Sequence, residues 1–157
     1  MKTDLNAYLT FALGDENFAI PVTHVQEVVE FGQVTKVPHA PPYMMGIINL
    51  RGRVLPLLDT RLKLGLPSSD ITSKTRVMVL DLQLDEKNIQ LGVLVDVARE
   101  VIEFGADEIL DAPEIENLKS TAPVTGIVNN QGKITMIMDI HRVFSFNEVL
   151  ALNNSLN

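Results

Sequence analysis

The side chains that could carry chemistry in this 157-residue chain are few and scattered. His24, His39 and His141 are the only histidines, and none stands at a ligand spacing such as His-x-x-x-His, so no metal site is expected. The six serines, Ser68, Ser69, Ser73, Ser120, Ser145 and Ser155, include no Gly-x-Ser-x-Gly elbow, which leaves nucleophilic catalysis without a foothold. The absence of cysteine excludes disulfides, thiolate chemistry and cysteine-ligated zinc. Asp59 and Asp139 could pass for a carboxylate pair, but each ends an equivalent stretch where helix capping is the simpler role. No glycine-rich phosphate loop precedes a helix. The expectation is therefore a protein with no catalytic residue, no cofactor and no metal.

What stands out instead is a charged tip. Gly46 to Leu62 contains two apolar runs, Gly46 to Leu50 and Val54 to Leu58, on either side of Arg51-Gly52. Glycine at that point supplies the positive φ that a tight hairpin needs, so the turn holds Arg51 out into solvent. Asp59 offers an N-cap to a short helical turn that Gly65 closes. Pro56, which cannot donate a ladder hydrogen bond, is expected on an edge strand or at a bulge.

The stretch recurs 80 positions further on, from Gly126 to Asp139, with glycine, isoleucine, asparagine, glycine and aspartate at matching places. At the second tip Leu50 and Arg51 become Asn130 and Gln131. A second echo pairs Glu27 to Phe31 with Glu100 to Phe104. Two echoes in the same order imply a duplicated unit, and two similar lobes about an approximate two-fold axis are the natural packing. The framework is kept while the tip chemistry has diverged, which suggests that the first tip has a task the second lacks.

These elements have to be positioned by a sheet-rich chain. A 46% hydrophobic content with only 5% aromatics points to a core of Val, Ile and Leu, the residues of β-strands. Tyr8 to Leu13 and Phe18 to Ile20 form a first hairpin, and Val77 to Leu84 with Ile89 to Val95 form its counterpart. The most loop-like segment, Leu66 to Thr75, separates the halves, giving approximate lobes 8–65 and 76–144 within one domain over 1–157. Ser145 to Glu148 reads as a capping box, opening a C-terminal helix over about 145–153. Glu27, Glu30, Glu100, Glu103 and Arg61 read as solvated surface residues. A net charge of -7 disfavours nucleic acid and anionic lipid as partners. No apolar run approaches the ~20 residues of a membrane span, and Met1 to Leu5 lacks a signal peptide's apolar core, so a cytoplasmic protein is expected.

Taken together, the strand Tyr8 to Gly14, the turn Val25-Gln26-Glu27-Val28 and the Gly-x-x-Asn-Leu-Arg-Gly stretch from Gly46, with its following Pro56 and Asp59, resemble the CheW family of chemotaxis adaptor proteins. The resemblance runs from about Tyr8 to the terminal helix, with Asp59-Thr60-Arg61 standing where the family usually has Asp-Leu-Arg. It implies an all-β fold of two five-stranded SH3-like β-barrel lobes, and a non-catalytic scaffold coupling chemoreceptor cytoplasmic domains to the regulatory domain of the histidine kinase CheA. It also implies recruitment to receptor arrays at the inner membrane without insertion, and a receptor contact at Val25, Glu27, Asn49, Arg51 and Gly52. Alternatives are an adaptor of a pilus-motility or other chemosensory pathway, or a small-ligand-binding β-barrel protein.

Overall fold

The computed structural model describes residues 5–84, 86–111, 123–144 and 148; the expected helix at about 145–153 lies outside them except for Glu148. Eleven strands are seen among the described residues, with two very short α-helices. The first half contributes β1 (Leu5–Leu13), β2 (Glu16–Pro21), β3 (Val25–Glu30), β4 (Met44–Leu50), β5 (Arg53–Leu58) and α1 (Thr60–Leu64). The second contributes β6 (Arg76–Leu84), β7 (Lys87–Val95), β8 (Val97–Gly105), β9 (Leu110–Asp111), β10 (Val124–Asn130), β11 (Lys133–Met138) and α2 (Ile140–Val143).

The duplication is visible at the level of single hydrogen bonds. In both central hairpins a bulge precedes the glycine, at Met44/Gly46 and at Val124/Gly126, and the two registers then coincide pair by pair. Asp59 Oδ1 accepts from the Arg61 amide at 3.0 Å, and Asp139 Oδ1 accepts from the His141 amide at 3.0 Å. Both aspartates are N-caps, as the repeat implied. Gly46 is fixed by close approach, since a Cβ there would lie 2.3 Å from the Thr35 carbonyl oxygen at a φ of +152°.

Strand pairing does not follow the division of the sequence. One sheet runs β8-β1-β2-β11-β10-β9 and the other β3-β6-β7-β5-β4. The opening hairpin of each half is thus inserted between strands of the other half, and the lobes 8–65 and 76–144 describe the repeat units rather than the sheets. The cause lies in the hairpins themselves. Val77, Met78, Val79 and Leu80 are all buried, as are Leu91, Val93, Leu94 and Val95, so neither face of β6 or β7 can be left to water. One face of each inserted hairpin fills its own lobe: Val77 and Val79 pack with Leu50, Leu55 and Leu57, while Tyr8 and Ala19 pack with Phe104, Val128 and Ile137. The opposite faces meet between the lobes, where Leu9, Phe11, Leu13, Phe18 and Ile20 join Met78, Leu80, Leu82, Leu91 and Val93 in one shared core.

Pro56 is not on an edge strand. β5 lies between β4 and β7, and Pro56 is paired with Ile47 on the β4 side. On the β7 side the parallel ladder contains only Leu57 and Leu58, whereas the duplicate ladder already includes Thr135 and Met136. Having no N–H to give, Pro56 is accommodated by starting the ladder after it.

Candidate functional site

The tip of the β4–β5 hairpin is a two-residue turn with both central residues left-handed, Arg51 at φ 50° and Gly52 at φ 89°. Asn49 Oδ1 accepts from the Gly52 amide at 2.8 Å and so fastens the turn from within. Arg51 then reaches β3, where its Nη2 donates to Glu27 Oε2. Beside it Arg53 Nη1 donates to Gln90 Oε1 on β7, and Gln90 Nε2 donates to Gln26 Oε1 on β3 at 2.9 Å. Since β3 is separated from β5 by β6 and β7 in the sheet order, these side chains draw the two ends of the sheet together across the mouth of the first lobe.

Of the residues named from sequence, Glu27, Asn49, Arg51 and Gly52 meet at this tip. Val25 does not: it lies beyond the irregularity between Val25 and Glu27 and packs against the shared core. Gln26, Arg53 and Gln90 belong to the cluster and were missed. Only Arg53, two residues past Arg51 at the start of β5, carried a local signal; Gln90 becomes a neighbour through strand pairing alone. The side chain of Arg51 remains 63% exposed, and only its Nη2 is engaged among the described residues, so most of its donor fork faces solvent. The second tip has the same turn, with Gln131 at φ 53°, Gly132 at φ 85° and Asn129 Oδ1 accepting from the Gly132 amide at 3.0 Å. A cation is therefore no requirement of the turn.

Arg61 is not a surface residue. It is 4% exposed and forks onto Asp59, with Nε on Oδ1 at 2.9 Å and Nη2 on Oδ2 at 3.0 Å. Its Nη1 donates to Asp96 Oδ1 and to the Ser69 carbonyl, both at 3.1 Å, and Asp96 Oδ2 accepts from the Gly14 amide at 2.6 Å. The hydrogen bonds to Asp59 hold the guanidinium firmly protonated against the cost of burial. Arg61 thus ties the end of β5 to the turns leaving β1 and β7, which is a bracing role. At the equivalent corner of the other lobe His141 stands in its place, Nδ1 3.3 Å from Asp139 Oδ1, with the His24 ring edge-on at 5.4 Å. Among the described residues no group of three or more His, Asp or Glu is placed to hold a metal ion.

The hairpin with its Asn-Leu-Arg-Gly tip and its diverged duplicate can be compared with known proteins. A family model described as CheW-like domain matches residues 7–148. The chain belongs to the CheW-like family. It is 33% identical over 135 residues to the chemotaxis protein CheW of Bacillus subtilis, covering 86% of this chain and 84% of the relative. It is 29% identical over 147 residues to that of Klebsiella aerogenes, covering 94% and 86%. Protein FrzA of Myxococcus xanthus is 35% identical over 72 residues, covering 46% and 45%. The crystal structure of the scaffolding protein TtCheW from Thermoanaerobacter tengcongensis superposes with a TM-score of 0.79 at 26% identity, covering 94% of this chain and 92% of that one. The CheW-like architecture, two all-β lobes sharing a core, is the one described above.

Proposed function

We propose that this chain is a non-catalytic chemotaxis adaptor that joins chemoreceptor cytoplasmic domains to the regulatory domain of the histidine kinase CheA, and that the Arg51 tip is its receptor contact. The observation that carries the second part is the difference between two otherwise matching hairpins. Asn49, Gly52 and their register are duplicated faithfully, so the turn folds with Gln131 at its first position, yet the first tip carries Arg51 there, bonded to Glu27. Charged groups retained where folding does not need them are the signature of a partner. Glu27 holds the guanidinium in place from one side, leaving its remaining donors for a receptor carboxylate or carbonyl. No described helix is long and apolar enough to cross a membrane, and recruitment to receptor arrays follows on this account from protein contacts.

The test is reconstitution. With receptor cytoplasmic fragments assembled on vesicles, the kinase regulatory domain should sediment with them only when this chain is added. Equal sedimentation of the kinase with and without the chain would refute the adaptor role.

A further inference from the structure

We propose that the mouth of the second lobe is a binding site for a small oxyanion of carboxylate or phosphate chemistry. The duplicated framework allows the two mouths to be compared residue by residue. Leu57 faces Gly92 across β5–β7 as Ile137 faces Ala19 across β11–β2, which sets Asn17 at the place of Gln90, and the repeats set Arg99 at the place of Gln26 and Lys133 at that of Arg53.

In the first lobe Gln90 bonds both Arg53 and Gln26 and spans the opening. In the second lobe the span fails, because Asn17 is one methylene shorter and Lys133 has no guanidinium fork. Among the described residues neither Lys133 nor Arg99 has an ion-pair or hydrogen-bond partner. What remains is a cavity of about 130 Å³ between them. That is well above the ~15 Å³ needed by a single water, so several waters or one small anion fit.

The floor has changed with the rim. Thr135 occupies the place of Leu55, and Thr10 that of Val79, and both threonines are buried, at 2% and 4% exposure against 5% and 0% for the residues they match. A buried hydroxyl costs stability unless it is bonded. Thr10 meets that cost by donating to the Glu100 carbonyl at 2.7 Å, while the Thr135 hydroxyl has no protein partner among the described residues and opens onto the cavity, where a bound group can reach it. Two cations without ion-pair partners line one partly open pocket together with hydroxyl and amide donors, with Glu100 the one acidic side chain lining it, in a chain whose net charge is -7. An oxyanion supplies what each group lacks: charge for Arg99 and Lys133, and acceptors for Thr135 and Asn17.

The test is a two-dimensional amide NMR titration of the full chain with sodium phosphate and, separately, sodium acetate, each against sodium chloride at matched ionic strength. Saturable shifts at Thr10, Asn17 and Thr135 beyond the chloride control are expected, and whichever anion binds more tightly identifies the source. In the double variant Arg99→Gln, Lys133→Gln, whose sites are exposed and whose spectrum should otherwise be unchanged, the affinity should fall at least tenfold. Shifts no larger than the chloride control for both anions, or undiminished affinity in the variant, would overturn the proposal. Neither receptor nor kinase is needed, so the outcome is independent of the adaptor role.

Discussion

At the scale of single residues, two arginines ten positions apart have opposite fates. Arg51 is paired on the surface, where an exposed ion pair contributes ~0–1 kcal/mol, and its loss should be felt mainly by a partner. Arg61 sits between Asp59 and Asp96, with side-chain exposures of 5%, 9% and 13%. Arg61→Met would leave two carboxylates in low dielectric without their counter-charge, a change that typically costs ~3–5 kcal/mol. Urea unfolding should show a loss of that size; a loss below ~1 kcal/mol would mean that water relieves the corner. His24 offers a pH test. Burial first, and then the neighbouring His141, lower its pKa below the ordinary 6.5, with Asp139 pulling the other way. The folded state thus resists a proton that the unfolded chain accepts, so this contribution to stability is whole above about pH 6.5 and is lost as the pH falls towards the folded value. His24→Gln should flatten the dependence of the urea midpoint on pH between 7.5 and 5.5, and parallel curves for the two proteins would contradict it.

At the scale of elements, the hairpins, their left-handed tips and the two aspartate caps were legible in the sequence because each obeys a rule spanning a few residues. The glycines of one hairpin separate two kinds of constraint. At Gly52 a Cβ would meet nothing within 4 Å, so Gly52→Ala should cost only the strain of a positive φ, ~1 kcal/mol. At Gly46 the Cβ would strike the Thr35 backbone, and Gly46→Ala should cost clearly more, ~2 kcal/mol or above. Equal midpoints for the two variants in thermal melting would show that the Thr35 segment yields freely. Arg61 and the Gln26-Gln90-Arg53 chain were not legible, for a common reason. Asp96 is 35 residues from Arg61, and Gln90 is 37 from Arg53 and 64 from Gln26, distances over which only strand pairing brings side chains together.

At the scale of the whole molecule, the exchange of hairpins between halves makes the lobes inseparable. The duplication is evident in the sequence, with the loop at 66–75 between the repeats, but the exchange of hairpins is not. The exchange goes with burial of both faces of β6 and β7, which follows from what covers a strand rather than from its own alternation. Because each sheet draws strands from both halves, a binding event at either mouth acts on a framework shared with the other. Two mouths on one framework, one bridged by arginines and the other open, are a means for a single small chain to present different chemistry at its two ends.

The central claim is that the bridged mouth meets the receptor through Arg51. It is tested by Arg51→Gln, which copies the duplicate tip and keeps the turn, measured by denaturant melting and by co-sedimentation with receptor cytoplasmic fragments. An interface anchor of this kind commonly contributes ~2 kcal/mol, so receptor binding should weaken roughly thirty-fold while stability stays within ~0.5 kcal/mol of the original. Intact binding, above all if accompanied by lost stability, would contradict the account and make Arg51 a brace for Glu27 and the barrel mouth.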